Sequence, residues 1–400
     1  MDIFVLYKED YPWDVRIEKI AKSLRDRGHN VTIVARNLSG NSPVAESDGL
    51  PIIRLPVIGA ANSLVRKLAN VPIWFNPFWI RTLNAAISGS ENPVIIVRDL
   101  PLVKTALSVA KSRNVKVVLD MAEVYPYMYA SARMFSKGLN LETLAKSPSM
   151  AARYESKVLP KVDHTLVMIE ESQDRVLNKG IDPGKVTIVS NTPPATKFSG
   201  TAHQHQGRNL RLVYVGFLTK LRGLDLLIKA ASAYVKMGNE PSSLKIDIVG
   251  KGSERENLIN LVKELNLEQS VTVHGWLEHE QVDQLMAQAN VGALTYRVCP
   301  HWNHTIPNKI FDYMLAGLPV LATEVKPIER IINETKSGLV CRDNDVRDIA
   351  EKLQILRSPE TRATLGANGV SAVQSKYNWA NDERRLHAVI DSLENQVKFR

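Results

Sequence analysis

The sequence predicts an α/β protein made of two doubly wound parallel-sheet domains in succession. Three observations carry this expectation. Short apolar runs of buried-strand type alternate with helical stretches that are apolar on one face. The alternation lapses once, in a polar stretch near residue 200, and then restarts. At 400 residues the chain is also long enough for two full cores. A composition of 44% hydrophobic and 23% charged residues is that of a globular protein, so disorder is not the default.

Taken in order, DIFVLY (2–7) reads as the first strand and Asp14 as the cap of the helix behind it. Ile17, Ile20, Ala21 and Leu24 mark that helix's buried face, Gly28 ends it, and VTIVAR (31–36) is the next strand. A strand–helix–strand unit of this length implies parallel pairing through a right-handed crossover. VIIVRD (94–99), a helix over 101–112 and VKVVLD (115–120) repeat the unit. HTLVMI (164–169), a further helix and VTIVS (186–190) complete the first half. Ligands of such a sheet sit beyond the carboxyl ends of its strands, where Asp120 and Glu123 fall. A carboxylate there can take a proton from an attacking hydroxyl or bind a sugar; a helix cap or a surface acid is the plain alternative.

Residues 61–87 interrupt the pattern, combining Arg66, Lys67 and Arg81 with Trp74, Phe75, Phe78 and Trp79. Large aromatics among basic residues suit a surface lying in a lipid headgroup region, and core packing under a long loop is the alternative. Domain boundaries are drawn as 1–197, a polar linker over 198–209, 210–376, and a charged helix over 377–400 that crosses back towards the first domain. His203 and His205 in the linker lack the further ligands of a metal site, so no metal or cofactor is expected.

The second half runs LRLVYVG (210–216), a helix from about Leu224, LKIDIVG (244–250), a helix over 254–265, VTVHG (271–275), a helix over 280–289 and VGALTY (291–296). The stretch from His301 to Ile328 follows. Thr305 is placed as a cap, Pro307 in the first turn, and Gly317 at the end of a helix that feeds the buried run LPVLAT. Lys309 and Asp312, three apart, share a face away from Ile310, Phe311, Met314 and Leu315. Free amides at such a helix start favour phosphate. Gly216 and Gly250 end strands, and the turn from Gly216 carries Lys220 and Arg222, a guanidinium suited to bidentate contact with a diphosphate.

Bulk properties narrow the partners. The formal net charge of +9 fits nucleic acid, an anionic membrane or a phosphorylated ligand. No zinc-finger spacing or RNP-type aromatic motif is present, which leaves membrane and phosphate. Two cysteines, Cys299 and Cys341, build no disulfide framework and fit a reducing compartment. With no signal-peptide pattern and no apolar run long enough to span a bilayer, the expectation is a cytoplasmic protein held peripherally at the inner membrane.

Several stretches together resemble the family 4 glycosyltransferases. They are YVGFLTKLRGLDLLIKA (214–230), VGKGSE (249–254), VHGWLEHEQVDQLMAQANVGAL (273–294), PNKIFDYMLAGLPVLAT (307–323) and SGLVCRDND (337–345). PWDVRIEKIAKSLRDRGHNVTIVA, DMAEVYP and the SNTP near residue 190 add the first half. The resemblance implies the GT-B arrangement, two Rossmann-like domains facing a cleft, and sugar transfer from a nucleotide diphosphate sugar to an acceptor hydroxyl. It further implies retention of anomeric configuration and no metal. By position, Arg222 resembles the basic residue that neutralises the donor diphosphate, and Asp312 the second acid of the Glu-x7-Glu motif that binds the ribose. Gly216, Lys220, Gly250, His304, Thr305 and Lys309 complete the donor side, and Asp14, Asp120 and Glu123 the acceptor side, with Glu123 and Arg222 the catalytic pair. The chain departs from the pattern at His304, where the first acid is expected, at Phe217, usually basic, and at Ala122, often histidine. A lipid-linked saccharide of a surface polysaccharide is the implied acceptor. An epimerase of the same architecture and a non-catalytic nucleotide-sugar-binding partner are the alternatives.

Overall fold

In the computed structural model the residues described are all except 13, 74–75, 114, 135–145, 196–206 and 399–400. The chain forms two units: Met1–Tyr129 with Leu141–Asn191 and Asp382–Arg400, and Ala130–Asn140 with Thr192–Asn381. His203, His205 and most of the expected linker lie outside the described residues.

The first unit carries β1 (Asp2–Asp10), β2 (Asn30–Arg36), β3 (Val44–Ser47), β4 (Leu50–Arg54), β5 (Val94–Arg98), β6 (Lys116–Met121), β7 (His164–Val167) and β8 (Val186–Ile188). Their order is β3-β4-β2-β1-β5-β6-β7-β8. All pairs are parallel except β3–β4. That antiparallel pair is absent from the sequence reading, although its signal was present. Asp48 and Gly49 both take positive φ (52° and 72°) between Ser47 and Leu50, as a two-residue hairpin turn requires. From Asp382 on, the last helix (Trp379–Lys398) belongs to this unit. The Asp382 carboxylate accepts from the Ser190 amide at 3.0 Å, and Arg27 pairs with Asp391 at 2.5 Å.

The stretch 61–87 needs correction. It forms two helices, Leu64–Ala69 and Pro77–Ala86. Trp79 is fully buried with Leu83 and Ile87, and its indole N–H donates to the Val71 carbonyl at 3.1 Å. Phe78 packs partly buried against the same core. These two aromatics are core residues, because positions 79, 83 and 87 share one helix face. Arg66 is buried as well, so among the described residues expected at a membrane Lys67 and Arg81 are exposed. Trp74 and Phe75 lie outside the described residues.

The second unit has six parallel strands: β9 (Leu210–Val215), β10 (Leu244–Val249), β11 (Val271–Val273), β12 (Val291–Leu294), β13 (Val320–Thr323) and β14 (Gly338–Cys341). The order β11-β10-β9-β12-β13-β14 reverses direction between β9 and β12. That reversal is the topological switch point at which open α/β sheets bind ligands. The helix expected from Thr305 instead covers Lys309–Leu315 with Asn308 at its start, and no side chain caps it. A short 3₁₀ turn at Trp302–His304 precedes it, and Thr305 is extended (φ −146°). Its position is fixed by Tyr313, whose buried hydroxyl accepts from the Val215 amide at 3.1 Å while its ring fills the space left by Gly292.

Candidate functional site

At the switch point of the second unit, β9 runs into the turn 216–223. Its sister turns lace it in place. The Gly216 amide donates to Val249 O at 3.0 Å, the Leu218 amide to Lys251 O at 2.9 Å, and the Gly250 amide to Gly275 O at 3.1 Å. Gly250 (φ +144°) must be glycine, since a Cβ there would stand 1.8 Å from the Gly216 carbonyl oxygen. Gly250 therefore serves first to let adjacent turns touch, whereas a Cβ on Gly216 would press on the Tyr214 hydroxyl at 2.9 Å.

Residues Lys220–Arg222 form a 3₁₀ turn that ends at Gly223 with φ 60°. The segment after β12 clasps this turn. Thr295 Oγ1 donates to the Gly223 carbonyl at 3.1 Å and the Arg297 amide to Leu221 O at 3.0 Å. Arg297 forks onto the Asp225 carboxylate at 2.8 and 2.7 Å. A Cβ on Gly223 would lie 1.9 Å from Thr295 O, so the close approach of the two segments depends on glycine.

The clasp places Arg222 against two adjoining aromatic rings. Its guanidinium carbon lies 4.5 Å from the centroid of Tyr296 and 4.3 Å from that of Trp302. The rings are themselves 4.7 Å apart at 52°, and His301 leans on Trp302 at 4.5 Å. Tyr296 and Trp302 are buried and Arg222 is half-buried, so the cation rests on π faces in a partly desolvated setting that strengthens the attraction. Burial, reinforced by the charge of Arg222, pushes the His301 imidazole down to about 4. It is neutral at pH 7 and leaves Arg222 the charge of the stack. Tyr296 and Trp302 were not among the sequence candidates; only their aromatic character beside a strand end hinted at them.

Beyond the stack, His304 Nδ1 lies 2.9 Å from the Pro300 carbonyl oxygen. Thr305 is buried and Lys220 exposed. Lys309 and Asp312 face each other, as their spacing implied, and pair at 3.0 Å with both side chains part-exposed. An ion pair so exposed is worth about 0–1 kcal/mol, so a ligand can exchange with it at little cost.

In the first unit two of the three acids expected at the acceptor side, Asp14 and Asp120, have other work. Asp120 is buried and clamped by Arg16: Nε reaches both carboxylate oxygens at 3.0 and 2.9 Å, and Nη2 reaches Oδ1 at 2.5 Å. Arg16 Nη1 also donates to Ser190 O at 3.0 Å. Asp120 is thus neither a cap nor a surface acid, and its lone pairs are committed to the guanidinium. Asp14 caps the helix Val15–Asp26, accepting from the Arg16 and Ile17 amides at 2.9 and 3.0 Å. Glu123 keeps a half-buried side chain, and its amide donates to Asp99 Oδ1 at 3.1 Å. Asp99 was not foreseen. It follows β5 at the first unit's own switch point, with the costly dihedrals φ 66°, ψ 171°, and burial raises its carboxyl's pKa. Arg98 pairs with it at 3.0 Å and lies 3.5 Å from Asp14.

Residues 199–371 match the model described as "Glycosyl transferases group 1", and residues 14–192 the "Glycosyl transferase 4-like domain". Among curated relatives, mouse chitobiosyldiphosphodolichol beta-mannosyltransferase is 28% identical over 49% of this chain and 40% of its own length. Other relatives are likewise matched over only 41% and 44% of their length. D-inositol 3-phosphate glycosyltransferase of Pseudarthrobacter chlorophenolicus is 22% identical over 94% of this chain and 90% of its own. Of solved structures, sucrose-phosphate synthase from Thermosynechococcus elongatus superposes with a TM-score of 0.78 at 18% identity, covering 99% of each chain. HepE of Anabaena, solved with UDP and glucose, gives 0.71 at 15% identity, covering 98% of this chain and 100% of its own. These structures have the GT-B fold, and the two α/β sheets found here are consistent with it. With the two matches in tandem over nearly all its length, the chain belongs to the family 4 glycosyltransferases.

Proposed function

We propose that the protein transfers a sugar from a nucleoside diphosphate sugar to the hydroxyl of a lipid-linked saccharide, working at an anionic membrane surface. The observation that carries the reading is Arg222, packed against Tyr296 and Trp302 at the switch point of the second sheet. As the bond from the anomeric carbon to the diphosphate oxygen breaks, negative charge collects on the leaving diphosphate. A guanidinium whose plane is set beforehand stabilises that charge without reorganising. Lys309 adds a second cation once Asp312 turns to the ribose hydroxyls. The anomeric carbon then bonds to the acceptor oxygen, and the acceptor's proton passes to Glu123. Of the two acids at the end of β6, Asp120 lies in the strand and is spent on Arg16, which favours Glu123 on the loop that follows. The names of the relatives support this class of reaction: one transfers mannose to a dolichol-linked disaccharide and another uses an inositol phosphate.

The test is a panel of labelled nucleotide sugars incubated with protein, with and without a membrane extract. Transfer predicts labelled lipid and free nucleoside diphosphate only when the extract is present, and loss of both in Arg222→Ala. An epimerised sugar from donor alone, or donor binding without product in any extract, would replace this reading with the epimerase or the non-catalytic partner.

A further inference from the structure

The helix Leu64–Ala69 is inside out. Its inward face is polar: Arg66 is buried and donates to the Gly59 carbonyl at 2.8 Å. Asn70, just past the helix, is buried too, accepting from the Asn37 amide at 2.8 Å and donating to Arg66 O at 2.9 Å. Gly40 (φ +77°) makes room for the guanidinium, since a Cβ there would come within 2.7 Å of Arg66 Nη1. Its outward face is apolar. Leu64, Val65 and Leu68 share it at i, i+1 and i+4, and they are 70%, 56% and 60% exposed. A soluble helix normally turns its leucines in and its arginine out. Here a buried polar lock holds the reverse.

The surrounding charge says what such a face fits. Residues 49–90 contain no aspartate or glutamate, and their basic residues are Arg54, Arg66, Lys67 and Arg81. Arg54 and Arg66 are buried, and Lys67 and Arg81 are exposed. An exposed apolar ridge carrying Lys67, in a segment without acids, is complementary to an anionic bilayer, which takes leucine side chains below its headgroups and lysine among them. Among the described residues no helix is long and apolar enough to cross a membrane, so the contact is one of lying on the surface.

We propose that Leu64, Val65 and Leu68, with Lys67, are the membrane-docking ridge of this protein. The proposal rests on the membrane reading given above and names the face that would carry it, in place of the buried Trp79. The test is co-sedimentation of the full chain, without any sugar donor, with vesicles of phosphatidylglycerol and phosphatidylcholine or of phosphatidylcholine alone. Wild type is expected to pellet with the anionic vesicles at low salt. The triple variant Leu64→Ser, Val65→Thr, Leu68→Ser should lose at least tenfold in vesicle affinity at unchanged melting temperature, because these side chains are exposed. Lys67→Glu should weaken binding to anionic vesicles alone. No binding by wild type to either vesicle would overturn the membrane reading and the ridge together. Wild-type binding by the triple variant would overturn the ridge and leave the membrane reading standing. A dimer in light scattering that the triple variant abolishes, without vesicle binding, would assign the face to a second copy and refute the proposal.

Discussion

Replacing Trp302 with leucine removes one of the two faces against Arg222 and leaves the charge in place. The energy at stake follows from the geometry. Cation–π contacts are worth about 0.5–1 kcal/mol when exposed and about 2 when desolvated. Trp302 is 6% exposed and its ring stands 4.3 Å from the guanidinium, while Arg222 itself is half-buried, so a value between those limits applies. Tyr296, at 4.5 Å, remains and keeps the guanidinium near its place. We therefore expect Trp302→Leu to lose about 1–2 kcal/mol in affinity for a nucleoside diphosphate, or roughly 5- to 30-fold. Trp302→Phe, which keeps a π face, should stay within about threefold. Isothermal titration calorimetry on protein well below its melting temperature separates this loss from any loss of stability. Affinity within about twofold of wild type in Trp302→Leu, with affinity destroyed in Arg222→Ala, would refute the positioning role. It would leave Arg222 acting without its stack.

Asp120→Ala should lower the melting transition of the first unit, with a loss of about 3–5 kcal/mol, because it leaves the buried Arg16 guanidinium uncompensated. Calorimetric scanning reads it, and a drop in activity with no change in stability would instead revive Asp120 as a working acid. Gly223→Ala should abolish nucleotide binding without unfolding the protein, since the Thr295 carbonyl must move to admit the new Cβ; binding at wild-type strength would contradict the clasp. The pH dependence of stability has a defined sign. His301 and His164 are both held down to about 4 by burial, while an unfolded chain takes up these protons near 6.5. The unfolded state binds more protons between those values. Stability is complete above about pH 6.5 and falls as pH drops towards 4, by at most about 3 kcal/mol per histidine. Urea midpoints that stay level across this window would argue against two buried neutral imidazoles.

Much of the architecture was legible because it is periodic. Strands such as LRLVYV and LKIDIV are short apolar runs, and the glycines behind them mark their ends. The start of the helix near 305 misled because threonine and proline are good signals for a cap and a first turn. The 3₁₀ turn at Trp302–His304 displaces that start to Asn308. Trp79 misled in the other direction. Its company of cations suggested a surface, whereas its spacing with Leu83 and Ile87 already described a buried face. Long-range partnership was not legible at all. Arg16 and Asp120 are 104 positions apart, and nothing in either local sequence announces that one consumes the other. Arg222 was found as a cation in a glycine turn, but Tyr296 and Trp302 come from the far side of the switch point, which only the strand order brings close.

The central claim is that Arg222, in its aromatic setting, binds the diphosphate of a nucleotide sugar. The most direct measurement is the thermal shift of wild type and Arg222→Ala against UDP, GDP and ADP. A ligand that binds only the folded state at a hundred times its Kd stabilises by about 2.7 kcal/mol. The prediction is a clear rise in melting temperature for wild type with at least one of the three, and none for Arg222→Ala at the same concentration. A flat response of wild type to all three, or an equal rise in the variant, would contradict it.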